Sequence, residues 1–277
     1  MPTKEVFGSQ KDPEVGVPVR IVRVAPKVTL MSDPTTKPPA EIVALVVFGG
    51  DAPDHQVVQR LDRSMPLLVI AADSGAQHAV ALGLDVTIAV GDFDSIDAQL
   101  LVDLERGGTT IERHPTTKDA TDLELAIDVA IREGATTIVV IGGHGGRVDQ
   151  SFGNLLVISS PAYESVSMHG LVGAARVSVV NASNPAYFGG DVGEYVSILP
   201  MHGDAHGITT TGLEYPLDGE SLRAGTTRGV SNVFVGPEAS VSVTSGVVVV
   251  VRPGPELPHI DSDPNIPATE PDIEGTN

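Results

Sequence analysis

Three polar clusters lie between Ala89 and Asp149: Gly91-Asp92-Phe93-Asp94-Ser95, Lys118-Asp119-Ala120-Thr121-Asp122, and Gly142-Gly143-His144-Gly145-Gly146-Arg147-Val148-Asp149. Asp92 and Asp94 alternate along the chain, so in an extended turn both carboxylates reach one side, and hard oxygen donors of this kind suit Mg²⁺ shared with phosphate oxygens. The competing use of that cluster is capping of the next helix by Asp94 or Ser95. In the second cluster Thr121 and Glu124 fit a capping box, which leaves Lys118, Asp119 and Asp122 unaccounted for. A lysine beside two carboxylates can bind a phosphate while the acids hold metal or take a proton; acids in a solvated first helical turn, favoured by the helix dipole, are the alternative. The third cluster reads as a phosphate cradle, in which glycines let backbone amides approach an anion at a helix N-terminus and Arg147 adds a fork of donors. It is neither Gly-x-Gly-x-x-Gly nor a Walker loop. His144 is assigned no role.

These clusters need a frame that brings them to one edge. Ile42 to Phe48 is a continuous apolar run ending in Gly49-Gly50-Asp51, the pattern of a strand buried on both faces. Leu67 to Ala72 and Val86 to Val90 repeat the strand pattern, Thr109 to Arg113 forms a fourth strand after the Gly107-Gly108 break, and Thr137 to Ile141 a fifth. Helices are expected over Asp54–Arg63, Ala76–Leu82, Ala98–Arg106, Thr121–Glu133 and Asp149–Ile158, with Leu123, Ala126, Ile127, Ala130 and Ile131 on one face of the fourth. Alternating strand and helix predicts a parallel sheet covered on both faces. Each cluster follows a strand, or a short connector from one, and opens a helix, so all three can meet at the carboxyl edge, where open α/β sheets bind ligands.

After about Pro161 the texture changes. Short runs at Ala175–Val180, Tyr195–Leu199, Gly207–Thr211 and Val247–Val251 alternate with Gly, Asn, Pro and Asp turns, which predicts an all-β part of sandwich type. The expected organisation is an N-terminal extension and linker over 1–40, an α/β catalytic domain over 41–161, a β-sandwich over 162–252, and an acidic, disordered tail over 253–277.

The chain has 277 residues, a formal charge of −19 and no cysteine. Cysteine-based disulfides and thiolate metal sites are thereby excluded, and the charge argues against broad nucleic-acid binding, which relies on clustered Lys and Arg. Six acids and no base follow Pro253, leaving −13 on the rest; a phosphate-bearing substrate would then need divalent metal to be tolerated. No apolar run approaches the roughly 20 residues of a membrane span, and Met1 to Arg20 has no apolar leader core. A cytoplasmic protein without membrane attachment is expected.

Taken together, the motifs resemble the thiamine pyrophosphokinase family. Those that carry the resemblance are Gly49-Gly50-Asp51, Ala71-Ala72-Asp73-Ser74-Gly75-Ala76, Gly91-Asp92-Phe93-Asp94-Ser95-Ile96, Lys118-Asp119-x-Thr121-Asp122-x-Glu124-x-Ala126, and Gly145-Gly146-Arg147-x-Asp149 with Asn154-Leu155. Gly212-Leu213-Glu214-Tyr215-Pro216-Leu217 and Gly229-Val230-Ser231-Asn232 extend it into the β-rich part, so that it spans about Ile42 to Val251. The resemblance implies a homodimer, with thiamine bound between subunits, that moves a pyrophosphoryl group from ATP to the hydroxyethyl oxygen of thiamine and leaves AMP. It implies Mg²⁺ on Asp92 and Asp94, with Asp119 and Asp122 completing the metal site or accepting the hydroxyl proton. Lys118 and Arg147 would steady phosphates. Asp73 and Asp149 would organise the nucleotide side with Gly145, Gly146 and Asn154, and Ser231 and Asn232 would meet thiamine from the partner. The chain departs from the family's usual residues at Ser74, Gln77, Gln150 and Val233, which bears on acceptor contacts more than on the carboxylates. Rival expectations are a pyrophosphokinase for another alcohol, such as a pterin, and a non-catalytic thiamine or nucleotide sensor.

Overall fold

The computed structural model describes residues 41–53, 67–117, 119–143, 145 and 147–254. The 1–40 extension, the expected helix over Asp54–Arg63, Lys118, His144, Gly146 and the tail from 255 onward lie outside the described residues.

Strands β1 (Val43–Val47), β2 (Leu67–Ala72), β3 (Ile88–Gly91), β4 (Thr110–Arg113), β5 (Thr137–Ile141) and β6 (Ser167–Val172) pair in parallel in the order β4-β3-β2-β1-β5-β6. The apolar, mostly β-branched sequences of β1, β2, β3 and β5 are what burial on both faces requires, whereas β4, Thr-Ile-Glu-Arg, is the partly exposed edge strand. Helices α1 (Gly75–Ala81), α2 (Ala98–Arg106), α3 (Asp122–Arg132) and α4 (Val148–Ile158) follow β2, β3, β4 and β5. Side chains alternate across each strand. Ala44, Val46, Ile70, Ile138 and Val140 pack with Leu123 and Ile127 of α3 and Ile158 of α4, while Leu45, Val47, Val69, Val139 and Ile141 pack with Ala76 and Ala79 of α1 and Leu101 of α2.

Chain order reverses at β1: β2, β3 and β4 lie to one side of it and β5 to the other. The crevice beyond the carboxyl ends of β1 and β5 is therefore a topological switch point. β6 has a sequence, Ser-Met-His-Gly-Leu-Val, that lacks the apolar signature of its neighbours, yet it pairs along its length with β5.

From β6 the pairing turns antiparallel through β7 (Ala175–Val180), β13 (Ser245–Arg252) and β9 (Tyr195–Thr211). β8 (Ala186–Gly189), β10 (Asp218–Leu222) and β12 (Glu238–Ser242), joined through the far end of β9, supply the second layer, and β11 (Asn232–Val233) pairs with its start. The expected short strands Tyr195–Leu199 and Gly207–Thr211 are one bent strand: the intervening Pro200-Met201-His202-Gly203 has turn composition, but β9 continues through it and passes from β13 to β10 and β12, with a register shift between Ser245 and Val247. Bulges and glycines at such bends let one strand serve two layers.

β13 ties the two parts together. Val247 and Val249 belong to the core that contains Ile138 and Ile127, whereas Val248 and Val250 face Ile198, Ile208, Leu222 and Phe234 inside the sandwich. No helix among the described residues is long and apolar enough to cross a membrane.

Because one strand contributes to both cores, the chain should unfold as a unit. Ile138→Ala and Ile198→Ala, in different cores, should each cost about 2–5 kcal/mol and shift one common denaturation transition. Far-UV circular dichroism and tyrosine fluorescence measure this; two separated transitions in either variant would refute the coupling.

Candidate active site

At the carboxyl edge, β2 runs into Asp73 and β3 into Asp92. Asp73 has φ 45°, and its amide donates to the Val90 carbonyl at 2.9 Å, so the turn after β2 is tied to the end of β3. Carboxylate oxygens of Asp73, Asp92 and Asp94 lie within 4.8 Å of one another. Gly91 permits the approach: a side chain there would stand 3.2 Å from the Asp73 Cα and 3.3 Å from Asp122 Oδ1. The Ser95 hydroxyl donates to Asp73 Oδ2, while Asp73 Oδ1 is buried without a hydrogen-bond partner.

Like charges crowd this edge. The Asp94 carboxyl is raised above its ordinary value, chiefly by the charge of Asp92, then by desolvation, Asp73, a hydrogen bond with Asp92, and Asp122. The helix-cap alternative for Asp94 and Ser95 does not hold, because Asp97 caps α2 and accepts from the Gln99 amide at 2.8 Å. An unpartnered buried carboxylate oxygen is costly, and here it stands among all-oxygen donors. That set fits a hard divalent cation.

The cation set expected from sequence was Asp92, Asp94 and Asp122, with Asp73 on the nucleotide side. The structure groups Asp73 with Asp92 and Asp94 and sets Asp122 beside Gly91, close enough for its charge to act on Asp94. Asp73 joins the pair because β2 and β3 are neighbours whose ends lie side by side.

In the second cluster, Thr121 caps α3 and its hydroxyl accepts from the Glu124 amide at 3.2 Å. Asp122 opens that helix, half-buried, and Asp119 is exposed in the connection from β4.

The glycine turn lies at the switch point. The Gly143 amide donates to the Gly49 carbonyl at 2.9 Å, and the His78 ring contacts the Gly50 carbonyl at 3.0 Å through Nε2. Gly145, with φ 98°, lies where any side chain would collide with the Asp51 carboxylate. Asn154, half-buried on α4, directs its amide nitrogen at Gly143. Arg147 precedes α4 and pairs with Asp149, Nε to Oδ1 at 3.1 Å, with both side chains about two-thirds exposed. The pairing raises the arginine and holds the aspartate below the usual carboxylate range. Asp51 and His78 are the residues of this turn that sequence reasoning left without a role.

In the β part, Asn232 is buried and its amide is committed to backbone. Oδ1 accepts from Tyr215 at 3.0 Å and Val233 at 2.9 Å, and Nδ2 donates to the Tyr215 carbonyl at 2.8 Å. Ser231, with φ 60°, is exposed, and its amide donates to the Ser197 hydroxyl at 3.2 Å. Around it Tyr215, Val230 and Val235 are exposed.

Comparison with known proteins places this geometry. Residues 62–169 match the family model described as thiamin pyrophosphokinase, catalytic domain, and residues 186–248 match thiamin pyrophosphokinase, vitamin B1 binding domain. The chain is similar to the thiamine pyrophosphokinase of Bacillus subtilis, 26% identical over 185 residues that cover 67% of this chain and 86% of the relative. It is also similar to thiamine pyrophosphokinase 1 of rice, 25% identical over 217 residues, covering 68% and 81%. The crystal structure of the Bacillus subtilis protein superposes with a TM-score of 0.65 at 25% identity, covering 76% of this chain and 98% of that one. Yeast thiamin pyrophosphokinase shares the fold, with a TM-score of 0.59 at 16% identity over 76% and 86% of the two chains.

The raised Asp94 carboxyl means that the folded chain binds a proton there more readily than the unfolded one. Without divalent cation, stability contributed by this group should therefore fall as pH rises from the ordinary carboxylate range through the raised value. Mg²⁺ should flatten that slope by favouring the charged form. Thermal unfolding between about pH 4 and 7, in chelator and in Mg²⁺, measures it; equal slopes would count against cation binding at Asp94.

Proposed function

Since the chain belongs to the thiamine pyrophosphokinase family, we propose that it transfers a pyrophosphoryl group from Mg-ATP to the hydroxyethyl oxygen of thiamine, giving thiamine diphosphate and AMP. The observation that carries this reading is the convergence of Asp73, Asp92 and Asp94 around a buried, unpartnered carboxylate oxygen at the sheet's carboxyl edge. The glycine turn lies three strand positions away, from β3 across β2 and β1 to β5, roughly 14 Å at the usual strand spacing. That separation suits an extended Mg-bound nucleotide whose polyphosphate reaches between the acids and the glycine turn.

In this reading Asp92 and Asp94, joined by Asp73, hold Mg²⁺. The bound ion would supply neutralisation of phosphate charge and of the charge that develops on the departing oxygen. The thiamine hydroxyl oxygen bonds to the β-phosphorus as the bond from that phosphorus to the bridging oxygen breaks, and AMP leaves with the bridging oxygen. Asp119 or Asp122 receives the hydroxyl proton. Lys118 and Arg147 steady the phosphates; Gly145, Gly146, Asp149 and Asn154 hold the nucleotide side. Arg147 must share its guanidinium between Asp149 and a phosphate, which its exposure allows. Reactions of this kind depend on positioning and charge neutralisation more than on covalent chemistry.

Ser231 meets thiamine directly in this reading, and Asn232 acts through the Tyr215 loop that it clamps. The acceptor site lies between two copies of the chain. Val148, Phe152 and Leu156, spaced by one helical turn along α4 and 79%, 62% and 41% exposed, form an apolar stripe that supports covering by a second copy. The enzyme would act in the cytoplasm.

AMP formation from Mg-ATP, with and without thiamine, tests the reaction. AMP should appear only with thiamine and match the thiamine diphosphate formed; AMP with a pterin alcohol and none with thiamine would sink the assignment. Asp92→Asn and Asp94→Asn should each lower kcat by about 10²-fold or more while the fold is retained, and near-normal rates in both would remove them from the metal site. For Asn232→Ala, which frees the Tyr215 loop from the backbone hydrogen bonds that Asn232 makes, the thiamine KM should rise about tenfold or more, with the ATP KM little changed. An effect confined to ATP would place that residue elsewhere.

A further inference from the structure

Phe93 separates Asp92 and Asp94 in the turn that follows β3, and it adopts φ 60°, a genuine outlier for a bulky residue. Such conformations persist only where the surroundings over-determine them. Here the ring is 8% exposed and packs into the core beneath α1 and α2, so the backbone must turn left-handed to bury Phe93 while its neighbours stay at the surface. The Asp94 amide donates to Asp92 Oδ1 at 3.3 Å on the outer side of this turn.

What closes over Phe93 comes from β4. Arg113 pairs in register with Gly91, and the next residue, His114, donates its amide to the Gly91 carbonyl at 2.9 Å. The Arg113 guanidinium lies 5.4 Å from the Phe93 ring centroid. The adjacent Glu112 is engaged elsewhere, by Arg132 at 3.2 Å on the neighbouring helix, so it does not draw Arg113 off the ring.

We propose that Arg113 is a positioning residue for the divalent cation: by stacking on Phe93 it holds the left-handed turn that keeps Asp92 and Asp94 facing Asp73. The inference rests on the metal reading of those carboxylates. It has a consequence of definite sign. A guanidinium near a cation site repels the cation, so if Arg113 acted by charge alone its removal would tighten metal binding. If it acts by holding the turn, its removal loosens binding.

The test is Mn²⁺ binding to the full chain without nucleotide or thiamine, followed by the electron paramagnetic resonance signal of free Mn²⁺. Arg113→Ala should raise the dissociation constant about two- to fivefold, the size of an exposed cation–π contact. Arg113→Lys, which keeps a weaker stack, should recover part of the loss. In a Phe93→Leu background, where no ring remains to stack on, Arg113→Ala should produce no further loosening. Far-UV circular dichroism of each variant in chelator guards against simple unfolding. Unchanged or tighter binding in Arg113→Ala, or the same loosening in both backgrounds, overturns the proposal while the metal reading stands. Absence of specific Mn²⁺ binding in the unsubstituted chain overturns both.

Discussion

Carboxylates that would repel one another in solution are held together at the edge of a parallel sheet, and much of the local structure exists to hold them. Asp73, Asp92 and Asp94 converge within 4.8 Å, and Asp122 adds a fourth negative charge near Asp94. Left to themselves these side chains would splay into water. The restraint is in the backbone: the Asp73 amide is spent on Val90, Asp73 and Phe93 both sit in the left-handed region, and Gly91 removes the side chain that would force Asp73 and Asp122 apart. Two residues in a conformation that costs energy, next to charges that cost more, are understandable where a cation offsets both.

The parallel sheet is what makes such restraint possible. Every strand from β1 to β5 ends at the same edge, and adjacent strands bring their terminal residues together without long loops. Hydrogen bonds pass from turn to turn along that edge: Gly143 to Gly49, His78 to Gly50, Asp73 to Val90, His114 to Gly91. The acids and the glycine turn are therefore parts of one hydrogen-bonded rim, set at a separation fixed by strand spacing. The second part of the chain is joined to the same frame, since β13 packs Val249 against the helical side and Val248 into the sandwich.

Much of this was legible in the sequence, for physical reasons. Apolar runs ending in glycine and aspartate announce buried strands and their turns, and the periodicity of Leu123, Ala126, Ile127 and Ala130 announces the helix that covers them. Thr121 as a cap follows from residue type and spacing alone. What could not be read was lateral order. Nothing in the sequence says that β2 neighbours β3, so the approach of Asp73 to Asp92 and Asp94 is visible only in the structure. β6 has no strand signature in the sequence, because its place is set by backbone pairing to β5 rather than by an apolar run of its own. β9 reads as two short strands because a bend between two layers uses the same residue types, here Pro200 and Gly203, as a turn.

Chemistry and selectivity are distributed differently over this fold. Clustered carboxylates and a glycine turn at a switch point would serve any metal-bound polyphosphate, and nothing about them favours one alcohol over another. Selection of the acceptor must come from a surface that the phosphate chemistry does not constrain. The sandwich supplies one: Asn232 uses both ends of its amide to hold the backbone of Tyr215, which leaves the tyrosine ring 63% exposed beside the left-handed Ser231. A buried amide so employed cannot also be the main contact for a ligand, and its rigidity is passed to residues that can. The Ser231-Asn232 pair is thus divided in this chain, with the asparagine fixing the Tyr215 loop and the serine exposed; under the proposed function, acceptor recognition would depend on a loop whose shape is set by one buried side chain.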